Sequence, residues 1–448
     1  MKLVDYKILL TEKINSTEVT SQEVNIMQYH IITVGSELTL GLAINTNAPF
    51  IAKRLGQEGY SCTCQISVPD NIPLISKAIR DSLSVSDGVI ITGGLGPTAD
   101  DVTREGICEA SGRKLVYQPW LAEIIKERYG QRSTPLPDIT FRQAYLPEGA
   151  KAIIPTIGSA PGTILESDGK FIISLPGVPR EMTEMIEKEV VPWLKSKYRM
   201  SEAFKVRVLR TTARTEASLQ EQIDDIMKSL DNVSVGILAY PGEIQLQLLA
   251  KGPSEEIALE IIKDAEKRFV ERLGNIVFGF DDQTLEEVVG MLLRKNNLSI
   301  AVAESCTGGL TAKKITDIPG SSDYFLGGIV TYSDDAKRAL LNVSRQTLQR
   351  HGAVSAATAL AMAYGVREKF GSEIGLGITG IAGPTGGSPE KPVGLVYIGL
   401  SDGTTSYTNR YVFFGSREII RLKSSSAALD MARYFILENF EQDRGDAS

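Results

Sequence analysis

The sequence predicts an α/β protein: an N-terminal parallel sheet with helices on both faces, a small α+β middle domain, and a C-terminal α/β domain. Three observations carry that prediction. From His30 to about Gly96, strand-like apolar runs alternate with helix-period segments, which is the rhythm of βαβ units. The rhythm pauses near Lys195 to Glu202 and resumes as strand, helix, strand, strand, helix, strand. A third set of apolar runs begins at Leu298, and the runs end in stretches rich in glycine and hydroxyl side chains.

Composition narrows the class. A chain of 448 residues predicts about two to four domains. Hydrophobic residues at 42% and charged residues at 23% are the balance of an ordinary globular protein. No apolar run approaches the ~20 residues needed to cross a bilayer, so no membrane association is expected. A formal charge of −7 gives no general attraction to nucleic acid. Four scattered cysteines do not make a disulfide framework, and a reducing cytoplasm is the expected location. Only His30 and His351 are present, which excludes a His-rich metal site and leaves Lys or Tyr as the expected base for any hydrolytic nucleophile.

Taken in order, residues 1–27 are a polar extension without the apolar core of a signal peptide and are expected to be disordered. The first domain, 28–198, reads as strand His30–Glu37, helix Asn47–Gly59, strand Tyr60–Val68, helix Asn71–Leu83, and a strand over Asp87–Gly96 that runs into a glycine turn. Ligands in such sheets bind beyond the carboxyl ends of the strands. GSELTLG at 35–41 and GGLGPTADDVT at 93–103 fall there. Gly93, Gly94 and Gly96 let backbone approach a phosphate, with Glu37 and Thr98 beside them, and Asp100 and Asp101 supply oxygens suited to a cation. A tight turn, with Asp100 capping the next helix, explains the same residues without a ligand.

The middle domain, 199–281, lacks the GxxG loop of a KH-type RNA reader and reads as a connector. The third domain, 282–441, opens with the capping-box pattern Thr284 to Glu287. Its strand Leu298–Val302 feeds AESCTGG at 303–309, where Ser305 sits between a strand and a helix. Such a turn suits a nucleophile with an oxyanion site, and it suits a plain helix cap equally well. Tyr332 and Lys337 end a neighbouring strand and share one rim. Strand EIGLGITG delivers Thr379 into the loop GIAGPTGGSPEKPVG at 380–394, which contains Gly383 and Gly386 and has the make-up of a phosphate or ribose wrap. Arg417 opens the last helix against its dipole, which favours a bound anion.

Together, GSELTLG, GGLGPTADDVT, LPGVPREM, AESCTGG, TYSDDAK, HGAVS and GITGIAGPTGGSPEKPVG resemble the competence/damage-inducible protein A (CinA) family over about residues 28–440. For the last domain the resemblance implies nicotinamide-nucleotide amidase activity, converting nicotinamide mononucleotide to nicotinate mononucleotide and ammonia without a cofactor. Ser305 is the implied nucleophile, activated by Tyr332 and Lys337. Thr307, Gly308, Thr379, Gly383, Gly386 and Arg417 are the implied substrate-binding residues. Helix-start N–H groups near Thr307 and Gly308 are expected to hold the oxyanion, with Thr307 as the helix cap and Cys306 as the alternative nucleophile. For the first domain the resemblance implies a molybdopterin-binding-like fold. It also implies an ADP-ribose pyrophosphatase that uses a divalent metal on Asp100 and Asp101, with potassium as a further cation. Nicotinamide mononucleotide and ADP-ribose are thus the expected small-molecule partners, in pyridine-nucleotide recycling, and a homodimer is the expected assembly. The alternative is a non-catalytic nucleotide-binding regulator linked to competence or DNA damage.

Overall fold

The structure, a computed structural model, describes residues 27–129, 137–198, 202–212 and 215–441. The disorder expected for the N-terminal extension falls on residues 1–26, which lie outside the described ones. The chain forms two compact units, one up to Ala203 and one from Phe204.

In the first unit the strands are β1 Gln28–Val34, β2 Ser61–Val68, β3 Gly88–Thr92, β4 Leu115–Tyr117, β5 Tyr145–Pro147, β6 Lys151–Ile153, β7 Gly162–Ser167 and β8 Lys170–Leu175. Six of them make one sheet in the order β2-β1-β3-β8-β7-β6, and β4 pairs with β5 separately. The four strands β2, β1, β3 and β8 are parallel, whereas β7 and β6 add antiparallel at the edge. The reason is local: Asp168 and Gly169 both take positive φ (53° and 75°), a tight turn that returns β7 directly into β8 as a hairpin.

β3 is buried along its whole length, as a strand covered on both faces must be. Ile31 and Ile90 face Ile51, Leu55 and Met182 on one side, while Ile32, Val89 and Ile91 face Ile75, Ile79 and Ile107 on the other. Alternate residues of each strand therefore feed two separate cores, which fixes the register. Thr33 stands opposite Thr92, and Thr92 opposite Leu175, so three strands end together and release their glycine-rich loops at one edge. The strand expected over His30–Glu37 stops at Val34, and Ser36–Thr39 forms a helical turn that leaves Glu37 exposed.

The second unit begins with a four-stranded sheet of β9 Ala203–Thr211, β10 Val233–Tyr240, β11 Glu243–Gly252 and β12 Val277–Phe280, in the order β10-β11-β9-β12. Helices Glu216–Ser229 and Glu255–Leu273 bury Leu219, Ile223, Ile262 and Phe269 against Leu246 and Leu248. A five-stranded sheet follows, of β13 Ile300–Glu304, β14 Phe325–Val330, β15 Ile374–Gly380, β16 Leu395–Ser401 and β17 Ser406–Val412, in the order β14-β13-β15-β16-β17. The first three of these are parallel and the last two antiparallel.

Helices Leu285–Lys295 and Arg417–Phe440 cover one face of this sheet, and the Ala-rich helix Ala356–Phe370 covers the other. The last packs backbone to backbone. A Cβ at Gly377 would lie 2.2 Å from the Ala359 carbonyl oxygen, and one at Gly375 would lie 2.2 Å from that of Ala363. Only glycine allows an approach this close.

Candidate active site

In the second unit, Glu304 at the end of β13 stands opposite Val330 of β14 and Ile378 of β15. All three strands therefore deliver their next residues, Ser305, Thr331 and Thr379, to the same carboxyl-end edge. Two backbone bonds stitch that edge: Ser305 N–H donates to Ile378 O at 2.9 Å, and Thr331 N–H to Glu304 O at 2.8 Å.

The turn after Ser305 is fixed by glycine and by one carboxylate. Gly308 and Gly309 take φ of 59° and 92°, in the left-handed region that side chains avoid. Gly308 N–H returns to Ser305 O at 3.1 Å. The buried Glu304 carboxylate then accepts Gly309 N–H (3.0 Å), Thr311 N–H (3.1 Å) and Ala312 N–H (2.8 Å), closing the start of helix Leu310–Thr316. An internal anion thus occupies the helix start.

Two expectations are corrected by this geometry. Thr307 is not the cap, since its fully buried hydroxyl has no partner and Glu304 does the capping. The Gly308 and helix-start N–H groups are not open to an oxyanion, since Ser305 O and Glu304 already take them. Among the described residues, the N–H groups of Cys306 and Thr307 are the two in this turn that no carbonyl or carboxylate takes; they face the Cys306 sulfur, a weak acceptor.

Lys337 lies in helix Asp334–Leu341, whose start is capped by the Ser333 hydroxyl accepting Ala336 N–H at 3.1 Å. Its Nζ sits 3.2 Å from Ser305 Oγ and donates to Thr331 O at 2.9 Å. The side chain is 1% exposed, and burial lowers its pKa below the ordinary lysine value, against the opposing pull of Asp334 and Cys306. Cys306 is 5% exposed, and burial pushes its thiol up to about 12, so it is held as an unreactive thiol beside the serine.

Tyr332 stands apart from this pair. It is 62% exposed, and its hydroxyl accepts from Arg417 Nη2 at 2.9 Å; the expected role as an activating partner of Ser305 has no bond behind it here. Arg417 also donates to the Gly383 carbonyl at 2.7 Å, so Tyr332, Arg417 and the glycine loop form one rim. Gly386 takes φ of 88° in the exposed part of that loop. Lys391 staples the loop by donating to His351 O and Val354 O. Thr379 is buried and spends its hydroxyl proton on Ala353 O at 2.7 Å. Sequence reasoning missed Arg421, whose Nε and Nη2 donate to Thr307 O at 3.2 and 2.7 Å. Its spacing of four from Arg417 on one helix was the available signal.

The glycine turn of the first unit is explained by packing. A Cβ at Gly93 would meet Val34 O at 2.1 Å, one at Gly94 would meet Thr103 Oγ1 at 2.3 Å, and one at Gly96 would meet Asp101 Oδ2 at 2.3 Å. Asp101 Oδ2 is already engaged by Thr98, through its N–H at 2.9 Å and its hydroxyl at 2.5 Å. The buried Arg104 holds the turn by donating to Leu95 O and Gly96 O, both at 2.8 Å. Asp100 and Glu37 are exposed. Among the described residues, no three His, Cys, Asp or Glu side chains gather where a metal ion would be held, so the expected set of Asp100 and Asp101 with Glu37 is not assembled.

The family model described as CinA C-terminal domain matches residues 282–436, the probable molybdopterin binding domain matches 30–196, and the damage-inducible protein CinA KH domain matches 206–279. The last match gives the middle segment a KH-family relationship despite its missing GxxG loop. A putative competence-damage inducible protein of Moorella thermoacetica is 44% identical over 403 residues, covering 90% of this chain and 97% of that protein. One from Caldicellulosiruptor bescii is 42% identical over 412 residues, covering 92% and 100%. A CinA-like protein of Kosmotoga olearia is 41% identical over 411 residues, covering 92% and 99%.

Proposed function

Because the chain belongs to the CinA family, we propose that its C-terminal domain is an amide hydrolase acting on nicotinamide mononucleotide, releasing ammonia and nicotinate mononucleotide. The observation that carries this reading is the pairing of Lys337 Nζ with Ser305 Oγ at 3.2 Å, with the ammonium form disfavoured by burial. A neutral amine at that distance can take the serine proton as the oxygen attacks the carboxamide carbon.

The C–O bond forms as the carbonyl π bond opens, and the negative oxygen is met by the Cys306 and Thr307 N–H groups in place of the weak sulfur acceptor. Lys337 returns the proton to the amide nitrogen, the C–N bond breaks, and ammonia leaves an acyl-Ser305 ester. Water, deprotonated by the same amine, then cleaves the ester and regenerates Ser305. No step calls for a metal or an organic cofactor. Tyr332, Arg417 and the 380–394 loop serve as the substrate rim.

A nucleotide-binding role for the loops of Gly93, Gly94, Gly96 and Thr98 in the first unit follows from the same family reading. The acidic residues there are not gathered into a metal site, so no pyrophosphatase step is derived.

The test is ammonia release from nicotinamide mononucleotide by the purified chain. Ser305→Ala and Lys337→Ala are each expected to lower kcat on the order of a thousandfold. Cys306→Ser should retain activity within roughly tenfold, since it leaves the backbone N–H in place. Absence of ammonia from the intact chain would sink the amidase reading, and loss confined to Cys306→Ser would move the nucleophile.

A further inference from the structure

Several arginines of the second unit, among them Arg207, Arg210, Arg272, Arg294 and Arg433, have carboxylates within ion-pair distance. Arg417 and Arg421 are bonded differently. Arg417 donates to the Gly383 carbonyl and the Tyr332 hydroxyl, and Arg421 donates twice to the Thr307 carbonyl. Every one of these acceptors is uncharged. Glu304, the carboxylate built into the nucleophile turn, directs its oxygens to three backbone N–H groups and forms no ion pair with either guanidinium among the described residues.

The two arginines are four apart in helix Arg417–Phe440, so they project from one face a single turn from each other. Like charges at that spacing repel, and among the described residues no ion pair to either guanidinium offsets the repulsion. Their acceptors lie on the segments that leave the three strand ends at the site: Thr307 is two residues beyond Ser305, Tyr332 adjoins Thr331, whose carbonyl receives Lys337, and Gly383 lies in the loop after Thr379. Each guanidinium keeps N–H groups beyond those in use, in the forked arrangement that matches phosphoryl oxygens.

We propose that Arg421 acts with Arg417 as a reader of the substrate's phosphoryl group, so that the site selects an anionic nucleotide amide over the uncharged nucleoside amide. The amidase reading underlies the catalytic half of this proposal. The binding half stands without it, because two arginines with no ion pair among the described residues should hold a sugar phosphate whatever chemistry follows.

The experiment has two arms on the full chain. In the first, calorimetry compares ribose 5-phosphate with ribose. Binding of the phosphate ester alone, weakened at least about tenfold in Arg421→Met and partly restored in Arg421→Lys, is the expected result. In the second, ammonia release is measured from nicotinamide mononucleotide and from the same nucleoside without its phosphate. Arg421→Met should lower kcat/KM for the nucleotide at least about tenfold more than for the nucleoside. Equal losses on both substrates would show that Arg421 only braces the turn through Thr307 O, and would overturn the proposal. Equal affinity for ribose 5-phosphate and ribose would overturn it even if ammonia is released. If sugar phosphate binds but no substrate yields ammonia, the amidase reading fails while the phosphoryl reader stands.

Discussion

At the scale of single residues, the decisive contrast is between neighbours. Ser305 and Cys306 are adjacent, yet only the serine meets the lysine, and burial keeps the more nucleophilic sulfur protonated. Lys337 carries a pH signature. Its pKa in the folded chain lies below the ordinary lysine value of 10.5, and the proposed attack by Ser305 needs the neutral amine. Activity should therefore fall as pH drops through that lowered pKa and level off at a pH below 10.5, measured as kcat/KM against pH. Stability follows the same sign. The unfolded chain binds the proton over a range in which the folded chain does not, so stability rises as pH rises between the two pKa values. The cost of burying the ammonium is fully present below the lower of them. Lys337→Met should accordingly raise the melting temperature most at low pH, with the gain shrinking toward pH 10.5 and beyond. A gain that grew with pH would contradict the assignment.

At the scale of elements, the strand ends were legible because apolar runs stopping at glycine and hydroxyl residues are local signals. Ser305, Lys337, Thr379 and Arg417 lie where such signals end or begin. The helix cap at Thr284 was also local, and its side chain accepts the Glu287 N–H. Glu304 was not legible as a cap, because an acid at a strand end gives no sign that its oxygens will turn to a helix five residues on. The pairing of Tyr332 with Arg417 was hidden for a different reason. It joins residues 85 positions apart and depends on how the last helix lies over the sheet. The hairpin at Asp168 and Gly169 did have a sequence signal, and it explains why the first sheet is parallel only in part. The Glu304 clamp yields a measurement of its own. Glu304→Gln replaces one acceptor oxygen with an N–H donor facing the helix start, and should cost about 2–4 kcal/mol in denaturant unfolding together with most of the amidase activity. Unchanged stability would mean that the three N–H bonds contribute little.

At the scale of the second unit, the middle and last domains share structure. Phe278 of β12 is buried in the same cluster as Leu285, Val289 and Leu429. Arg433 reaches from the last helix to Asn275 O at 2.6 Å. The hairpin between β10 and β11 places Gly242 against that helix, where an added Cβ would lie 2.7 Å from Ser426 Oγ at a φ of 87°. Gly242→Val is therefore expected to destabilise the unit by about 1–3 kcal/mol. Since the same helix carries Arg417 and Arg421, it should also raise KM for the nucleotide. A variant with wild-type melting and wild-type KM would show that the hairpin does not bear on the helix. The connector reading of the middle domain did not include its match to the damage-inducible protein CinA KH domain.

The peptide unit at Thr331 draws these scales together. The Thr331 N–H donates to the carbonyl of Glu304, the residue before Ser305, and the Thr331 carbonyl accepts from Nζ of Lys337, the proposed base. One residue is thus a common joint between the end of β13, which leads into Ser305, and the helix that carries Lys337. A shift of β14 against β13 that broke either bond would therefore also change the spacing of Ser305 Oγ and Lys337 Nζ, which ties the proposed proton transfer to the register of these two strands.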